Sequence, residues 1–165
     1  MGRIEQSPGF TLIELMIVVA LLGIFAAIAV PSFTGFINNN RTQSASNELL
    51  SFLQYARSTA VQNNTATVVC LNAGQWTVRR SVPATQCSGA ALRNMGSPAG
   101  ISITASLLPL VFHSNGAVGS LVNFTICAGA EAENGYAITV QPSGRIRGSH
   151  KGKTVDGASL SSCTP

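Results

Sequence analysis

The chain has 165 residues, ten Lys or Arg against six Asp or Glu, a net charge of +4 and 45% apolar residues. That length fits one domain. Charged residues make up 10% of the chain, well below the roughly 25% usual in soluble domains, and the mean hydropathy is positive; disorder is excluded and an ordinary cytosolic protein is disfavoured.

The apolar excess is concentrated near the start. A polar leader, residues 1–9, carries Arg3 and Glu5, and residues 10–30 then read FTLIELMIVVALLGIFAAIAV with Glu14 as their single charge. As a helix this run covers roughly 30 Å, enough to span a bilayer. A buried core helix is a poor alternative, because an apolar surface on every side leaves nothing to face water. A secretory signal removed behind the run is also a poor fit: Ala26, Ala27 and Ala29 loosely mimic a small-residue cleavage site, but the apolar core is too long. Processing in front of the run would discard the leader and keep the helix.

A carboxylate within hydrocarbon costs about 2.5–3.5 kcal/mol on insertion scales, so Glu14 demands a reason. After processing, the nearest cation is the new amine of Phe10. The plainer alternative is that Glu14, one turn from the helix start, snorkels to the interface or favours the positive end of the helix dipole. Gly23 weakens the helix, and Pro31 removes a donor and should bend or loosen it. Beyond Pro31, Phe33, Phe36, Ile37, Ala45, Leu49, Phe52, Leu53, Ala56 and Ala60 recur at three- and four-residue intervals, predicting an amphipathic helix to about Asn63.

Short β-rich runs follow at 65–70, 75–80, 101–104, 110–112, 122–127 and 136–141. Turn signals at Asn72-Ala73-Gly74, Asn115-Gly116, Asn134-Gly135 and Ser143-Gly144 bound them. Six or seven strands after one helix predict an α+β fold, with the amphipathic half of the helix laid on an antiparallel sheet or a pair of small sheets. Residues 81–100 read as a loop with Pro83 and Pro98.

Two stretches carry a family resemblance. Gly9-Phe10-Thr11-Leu12-Ile13-Glu14-Leu15-Met16, followed by an apolar helix, resembles the N-terminal motif of type IV pilins and type II secretion pseudopilins. The second half resembles the GspH/FimT/FimU group of minor pilins and pseudopilins: LVFHSNGAV at 110–118, FTIC at 124–127 and AITVQPSGRIR at 137–147 follow its order of hairpin, strand, and strand ending in Gly-Arg-x-Arg. The resemblance implies a pilin-like fold, cleavage by a prepilin peptidase between Gly9 and Phe10, methylation of Phe10, and a single-pass subunit held in the bacterial inner membrane with its C-terminal domain in the periplasm. It also implies that Glu14 pairs with the N-terminal amine of a neighbouring subunit, and that Gly23 and Pro31 are points of flexibility. The resulting division is a leader at 1–9, a transmembrane and polymerisation helix at 10–31, its amphipathic continuation at 32–64, and a periplasmic β domain at 65–165.

In that topology Cys70, Cys87, Cys127 and Cys163 all face an oxidising compartment, and two disulfides are expected. Of three connectivities, Cys70 with Cys87 across a hairpin and its loop, and Cys127 with Cys163 pinning the Gly- and Ser-rich C-terminus, are favoured. Zinc is disfavoured: there is no C-x-x-C, and His113 and His150 form no ligand pair. No cofactor motif or catalytic constellation is present, and Gly152-Lys153-Thr154 lacks the leading glycine of a phosphate-binding loop because position 147 is Arg147.

Between Asn134 and Val155 there is no acid, while Arg145, Arg147, Lys151 and Lys153 bring four positive charges. If extended, Arg145 and Arg147 point to one side, and Gly144, Gly148 and Gly152 would let a phosphate backbone approach. In some members of the FimT group a Gly-Arg-x-Arg stretch is implicated in binding DNA, which makes these four cations candidate DNA contacts. The plainer reading is a solvated tip or a subunit contact. The sequence thus points to a non-enzymatic minor pilin that assembles with other minor pilins and a major pilin and helps initiate the fibre, with a DNA-capturing pilin and a type II secretion pseudopilin as alternatives.

Overall fold

The computed structural model describes residues 10–80 and 87–165; the leader at 1–9, with Gly9, and the first part of the 81–100 loop, with Pro83, lie outside them. Among the described residues one α-helix, α1 (Leu12–Gln62), precedes eight strands. They are β1 (Thr67–Asn72), β2 (Gln75–Arg80), β3 (Ala91–Gly96), β4 (Ile101–Ala105), β5 (Leu110–Phe112), β6 (Val122–Ala128), β7 (Tyr136–Val140) and β8 (Ile146–Gly148). α1 runs through two compact units, the first ending at Ile37 and the second extending from Asn38 to Pro165.

In the first unit the helix begins at a capping box. Thr11 is the N-cap and Glu14 the third helical residue; the Glu14 N–H donates to the Thr11 hydroxyl at 3.3 Å and the Thr11 N–H donates to the Glu14 carboxylate at 2.9 Å. Helical backbone continues through position 31, so Pro31 does not end α1.

In the second unit Thr42, Ala45, Ser46, Leu49, Phe52, Leu53, Ala56, Thr59 and Ala60 form one buried stripe. Its three- and four-residue spacing keeps it on one side of the helix. Phe33, Phe36 and Ile37, expected on the same stripe, are exposed. These three belong to the first unit, which ends at Ile37, and the core forms in the second.

The stripe faces two four-stranded antiparallel sheets, ordered β3-β2-β1-β5 and β4-β6-β7-β8. β1 and β2 are joined by Ala73 and Gly74 alone, both at positive φ (49° and 77°), the two-residue turn whose twist suits a hairpin. Trp76 of β2 and Phe124 of β6 meet with ring centroids 5.8 Å apart, so the sheets share one core. Val69, Val78, Phe112, Ile126, Ile138 and Val140 complete it around Leu49, Phe52 and Leu53. Each such side chain contributes about 1.5–3 kcal/mol by leaving water. Polar contacts also hold α1: the buried Thr67 hydroxyl donates to the Ala56 carbonyl at 2.8 Å, and the Arg93 guanidinium lies over Tyr55 and Phe52, at 5.3 and 6.0 Å from the ring centroids.

Two strands depart from the sequence reading. β3 lies within the segment read as loop, because its residues, Ala91, Leu92, Arg93, Asn94, Met95 and Gly96, show little β-branched character and are held by pairing with β2. β8 is short and basic, and pairing with β7 makes it a strand.

The cysteines pair as Cys70–Cys87 and Cys127–Cys163. The second bond folds the C-terminal tail over the second sheet, where the Cys163 carbonyl accepts hydrogen bonds from the Thr104 and Thr125 hydroxyls at 2.7 and 2.6 Å and Leu160 is buried. Replacing Cys127 and Cys163 together by Ser is expected to destabilise the full-length chain by about 2–4 kcal/mol. Thermal unfolding in detergent micelles reads this, and an unchanged midpoint would show that the hydrogen bonds alone hold the tail.

Candidate functional site

Two regions carry the residues singled out in the sequence. The first is the start of α1. Phe10, Leu12, Ile13, Leu15, Met16, Ile17, Val18, Val19, Leu21, Leu22, Ile24, Phe25, Ile28 and Val30 are all exposed, so apolar side chains point outward around the whole helix. By length and composition this helix can cross a membrane. Gly23 opens onto empty space, with no atom that a side chain there would meet within 4 Å. The Glu14 carboxylate also accepts from the Thr11 hydroxyl at 2.9 Å, so within one chain its partner is Thr11. The Thr-x-x-Glu spacing that announces this box is visible in the sequence at Thr11 and Glu14.

The second region is the basic stretch. Arg145, Arg147, Lys151 and Lys153 are all exposed, and Arg145 and Arg147 flank Ile146 at alternate positions, which sends both to one side of β8. Lys151 and Lys153 lie in the turn beyond it, with the Lys153 amine 3.4 Å from the Ser159 hydroxyl. The glycines do not all behave as the sequence suggested. Gly144 is buried at φ 77°, and a side-chain carbon there would run into the Gly116 carbonyl and stand 2.9 Å from Arg57 Nε. At Gly152, φ 67°, it would stand 2.5 Å from the Glu133 carbonyl oxygen. Both are needed for chain-to-chain packing, which leaves Gly148 as the one open to an approaching ligand.

Arg57 was not singled out by sequence reasoning. It sits on α1, and its Nε donates to the Gly116 carbonyl at 3.2 Å, so one guanidinium ties the helix to the turn at Asn115-Gly116 and the adjacent turn at Ser143-Gly144. Beside it runs an open groove of about 530 Å³ lined by Gln54, Arg57, Ser58, Val61, Gln62, Arg145 and Ile146. No sequence signal brings Arg57 next to Arg145, 88 residues later; only the packing of turn against helix does. Among the described residues no cluster of three or more His, Cys, Asp or Glu is arranged to hold a metal.

Residues 45–144, more than half of the chain, match the family model for the type II transport protein GspH, and residues 7–30 match the prokaryotic N-terminal methylation motif. Among solved structures, the type IV minor pilin FimU of Pseudomonas aeruginosa is similar with 26% identity and a TM-score of 0.63, over 78% of this chain and 98% of that one. The minor pseudopilin EpsH of the Vibrio cholerae type 2 secretion system shares the fold at a TM-score of 0.54 and 13% identity, over 68% of this chain and 99% of that one. The type IV major alpha-pilin of Moraxella bovis is 56% identical over 45 residues, 27% of this chain and 28% of that protein. The type IV major pilin PilA of Myxococcus xanthus is 56% identical over 44 residues, 27% of this chain and 20% of that protein. The chain thus spans only a quarter or so of the length of these curated relatives.

The two glycines of the basic stretch separate packing from openness. Gly144→Ala is expected to cost about 1–3 kcal/mol for the left-handed backbone alone, with the overlap on Gly116 adding to it. Gly148→Ala, facing open space, should leave the unfolding midpoint of the full-length chain within a degree or two. Equal shifts for the two would contradict the contact with Gly116.

Proposed function

The chain belongs to the GspH family of type IV pilin-like proteins, and on that basis we propose that it is a minor pilin that enters the type IV pilus and helps initiate its assembly. The N-methylation motif implies processing by a prepilin peptidase, and the family implies assembly with other pilins. An apolar N-terminal helix of this kind is typical of pilins anchored in the inner membrane before assembly. The observation that carries the finer reading is the likeness to the minor pilin FimU along almost its whole length; the likeness to EpsH, at lower identity, speaks for the fold alone.

Cleavage after Gly9 would free the Phe10 amine at the tip of an apolar helix. Leaving the bilayer is favourable only if another apolar surface replaces lipid around residues 10–30, and a bundle of like helices supplies it. Glu14 adds a charge that the amine of an incoming or neighbouring subunit neutralises, while Thr11 holds the carboxylate by the helix start. Gly23 and Pro31 provide weak points at which the helix can adjust to its neighbours.

A second reading rests on the exposure of Arg145 and Arg147 on one side of β8 with Lys151 and Lys153 beyond: these cations contact DNA. If all four met phosphates, affinity would fall roughly a hundredfold between 50 and 200 mM salt. A gel shift with the full-length chain in micelles that lacked this salt dependence, or persisted after Arg145→Ala with Arg147→Ala, would remove this reading.

For the pilin reading, two Glu14 variants separate cap from charge. Glu14→Gln keeps a carbonyl oxygen for the Thr11 N–H, whereas Glu14→Ala keeps neither that half of the capping box nor the charge. If charge neutralisation drives assembly, both should fall at least about tenfold in recovery from sheared pili, the equivalent of 1.4 kcal/mol. Normal recovery of Glu14→Gln would leave capping as the residue's whole role.

A further inference from the structure

β8 is one edge strand of the second sheet, with β4 at the other edge. Its hydrogen-bond phase is set by two flanking bonds: the Gln141 N–H donates to the Arg145 carbonyl at 2.9 Å and the Ser149 N–H to the Ala137 carbonyl at 2.8 Å. Antiparallel ladders alternate bonded and non-bonded pairs, so Arg147 is bonded to Thr139, whereas Ile146 opposite Val140 and Gly148 opposite Ile138 are not. The N–H and C=O of Ile146 and Gly148 therefore turn away from β7. A side-chain carbon at Gly148 would meet nothing within 4 Å, so the face of the strand at that position is uncovered.

Ile146 also lines the groove described above, whose other wall is α1 with Gln54, Ser58, Val61 and Gln62. Val61 is 49% exposed there, an apolar surface beside unpaired backbone. The lining contains two cations, Arg57 and Arg145, and no acid, with exposed Arg147 one step along the strand. An edge strand, an apolar floor and clustered positive charge are the requirements for strand addition by an extended acidic segment: the backbone supplies affinity and the charges select the partner.

The same charges rule against a second copy. Edge cations repel an identical edge, which is one way proteins avoid self-pairing. The four acids of residues 32–165 do not offer an extended acidic segment either: Glu48 is in α1, Glu131 immediately precedes the short 3-10 helix that contains Glu133, and Asp156 lies in a turn. Duplex DNA fits the groove less well than a peptide, since its phosphates would gain nothing from Val61 and Ile146 and would leave the edge amides of β8 unpaired.

We propose that the groove between β8 and α1 receives an extended segment of a different pilin subunit, carrying Asp or Glu at alternate positions, which joins β8 as a fifth strand of the second sheet. This rests on the reading of the chain as a pilus subunit. Alternate residues of such a segment share a face, so its acids would point together toward the two cations that line the groove, Arg57 and Arg145.

The test is site-specific photo-crosslinking of the full-length chain in its own bacterium, with a photoreactive residue in place of Val61 and cross-linked peptides sequenced. The expected adduct is to an acidic, β-prone segment of another pilin. It should fall at least about tenfold with Arg145→Glu, through like-charge repulsion, and recover when the acids of that segment become Lys. Ile146→Pro should also reduce it, since it removes the outward N–H without touching the β7 ladder; this variant avoids Arg57, whose loss would disturb the turns. No adduct, an adduct to DNA or to a segment without acids, or an adduct indifferent to both variants would overturn the proposal. Recovery of the chain in sheared pili is scored in the same cells. Presence in pili without the adduct refutes the groove alone, whereas absence from pili refutes the subunit reading as well.

Discussion

The buried stripe from Thr42 to Ala60 is the surface on which both sheets depend. Neither sheet is broad enough to enclose a core by itself. The first has three strands of six residues and one of three, and the second ends in another strand of three. With aromatic residues at 6% of the chain there is little bulk to spare, and Leu49, Phe52 and Leu53 supply much of what fills the space between the sheets. The stripe is built from small and medium residues at helical spacing, with Ala45, Ala56 and Ala60 interleaved among the larger ones. These let strands approach closely enough for Thr67 to reach the Ala56 carbonyl.

The same helix carries a second, incompatible surface. Ahead of Pro31 its side chains are apolar all round and exposed, which suits lipid or neighbouring helices and not water. A chain of net charge +4 and 45% apolar residues thus consists of an anchor whose single charge is Glu14 and, over residues 32–165, nine basic against four acidic side chains. The family to which it belongs uses this division to move one molecule from bilayer to fibre.

Much of this was legible in the sequence because it is written in local patterns. The Phe10 to Met16 motif, the apolar run, the β-rich segments and the Asn-Ala-Gly hairpin turn each occupy consecutive residues. Where the reading slipped, the information was not local. Phe33, Phe36 and Ile37 had the right intervals but belong to the first unit, whereas the core forms in the second. β3 has no strand-like composition and exists because β2 offers an edge. Gly144 looked like an opening for a ligand, whereas its partner, Gly116, is 28 residues away and its other neighbour is Arg57 on α1. The groove at β8 was invisible for the same reason. By contrast, the Thr11 and Glu14 capping box is local, and its Thr-x-x-Glu spacing is written in consecutive residues.

The central claim is that residues 10–30 are retained as anchor and polymerisation helix while the leader is removed in front of them. It is tested most directly by intact-mass and N-terminal peptide mass spectrometry of the chain recovered from sheared surface pili. The account predicts a chain beginning at N-methylated Phe10, with both disulfides intact. A chain in that fraction still carrying Met1, or one cleaved behind Ala29, would contradict it.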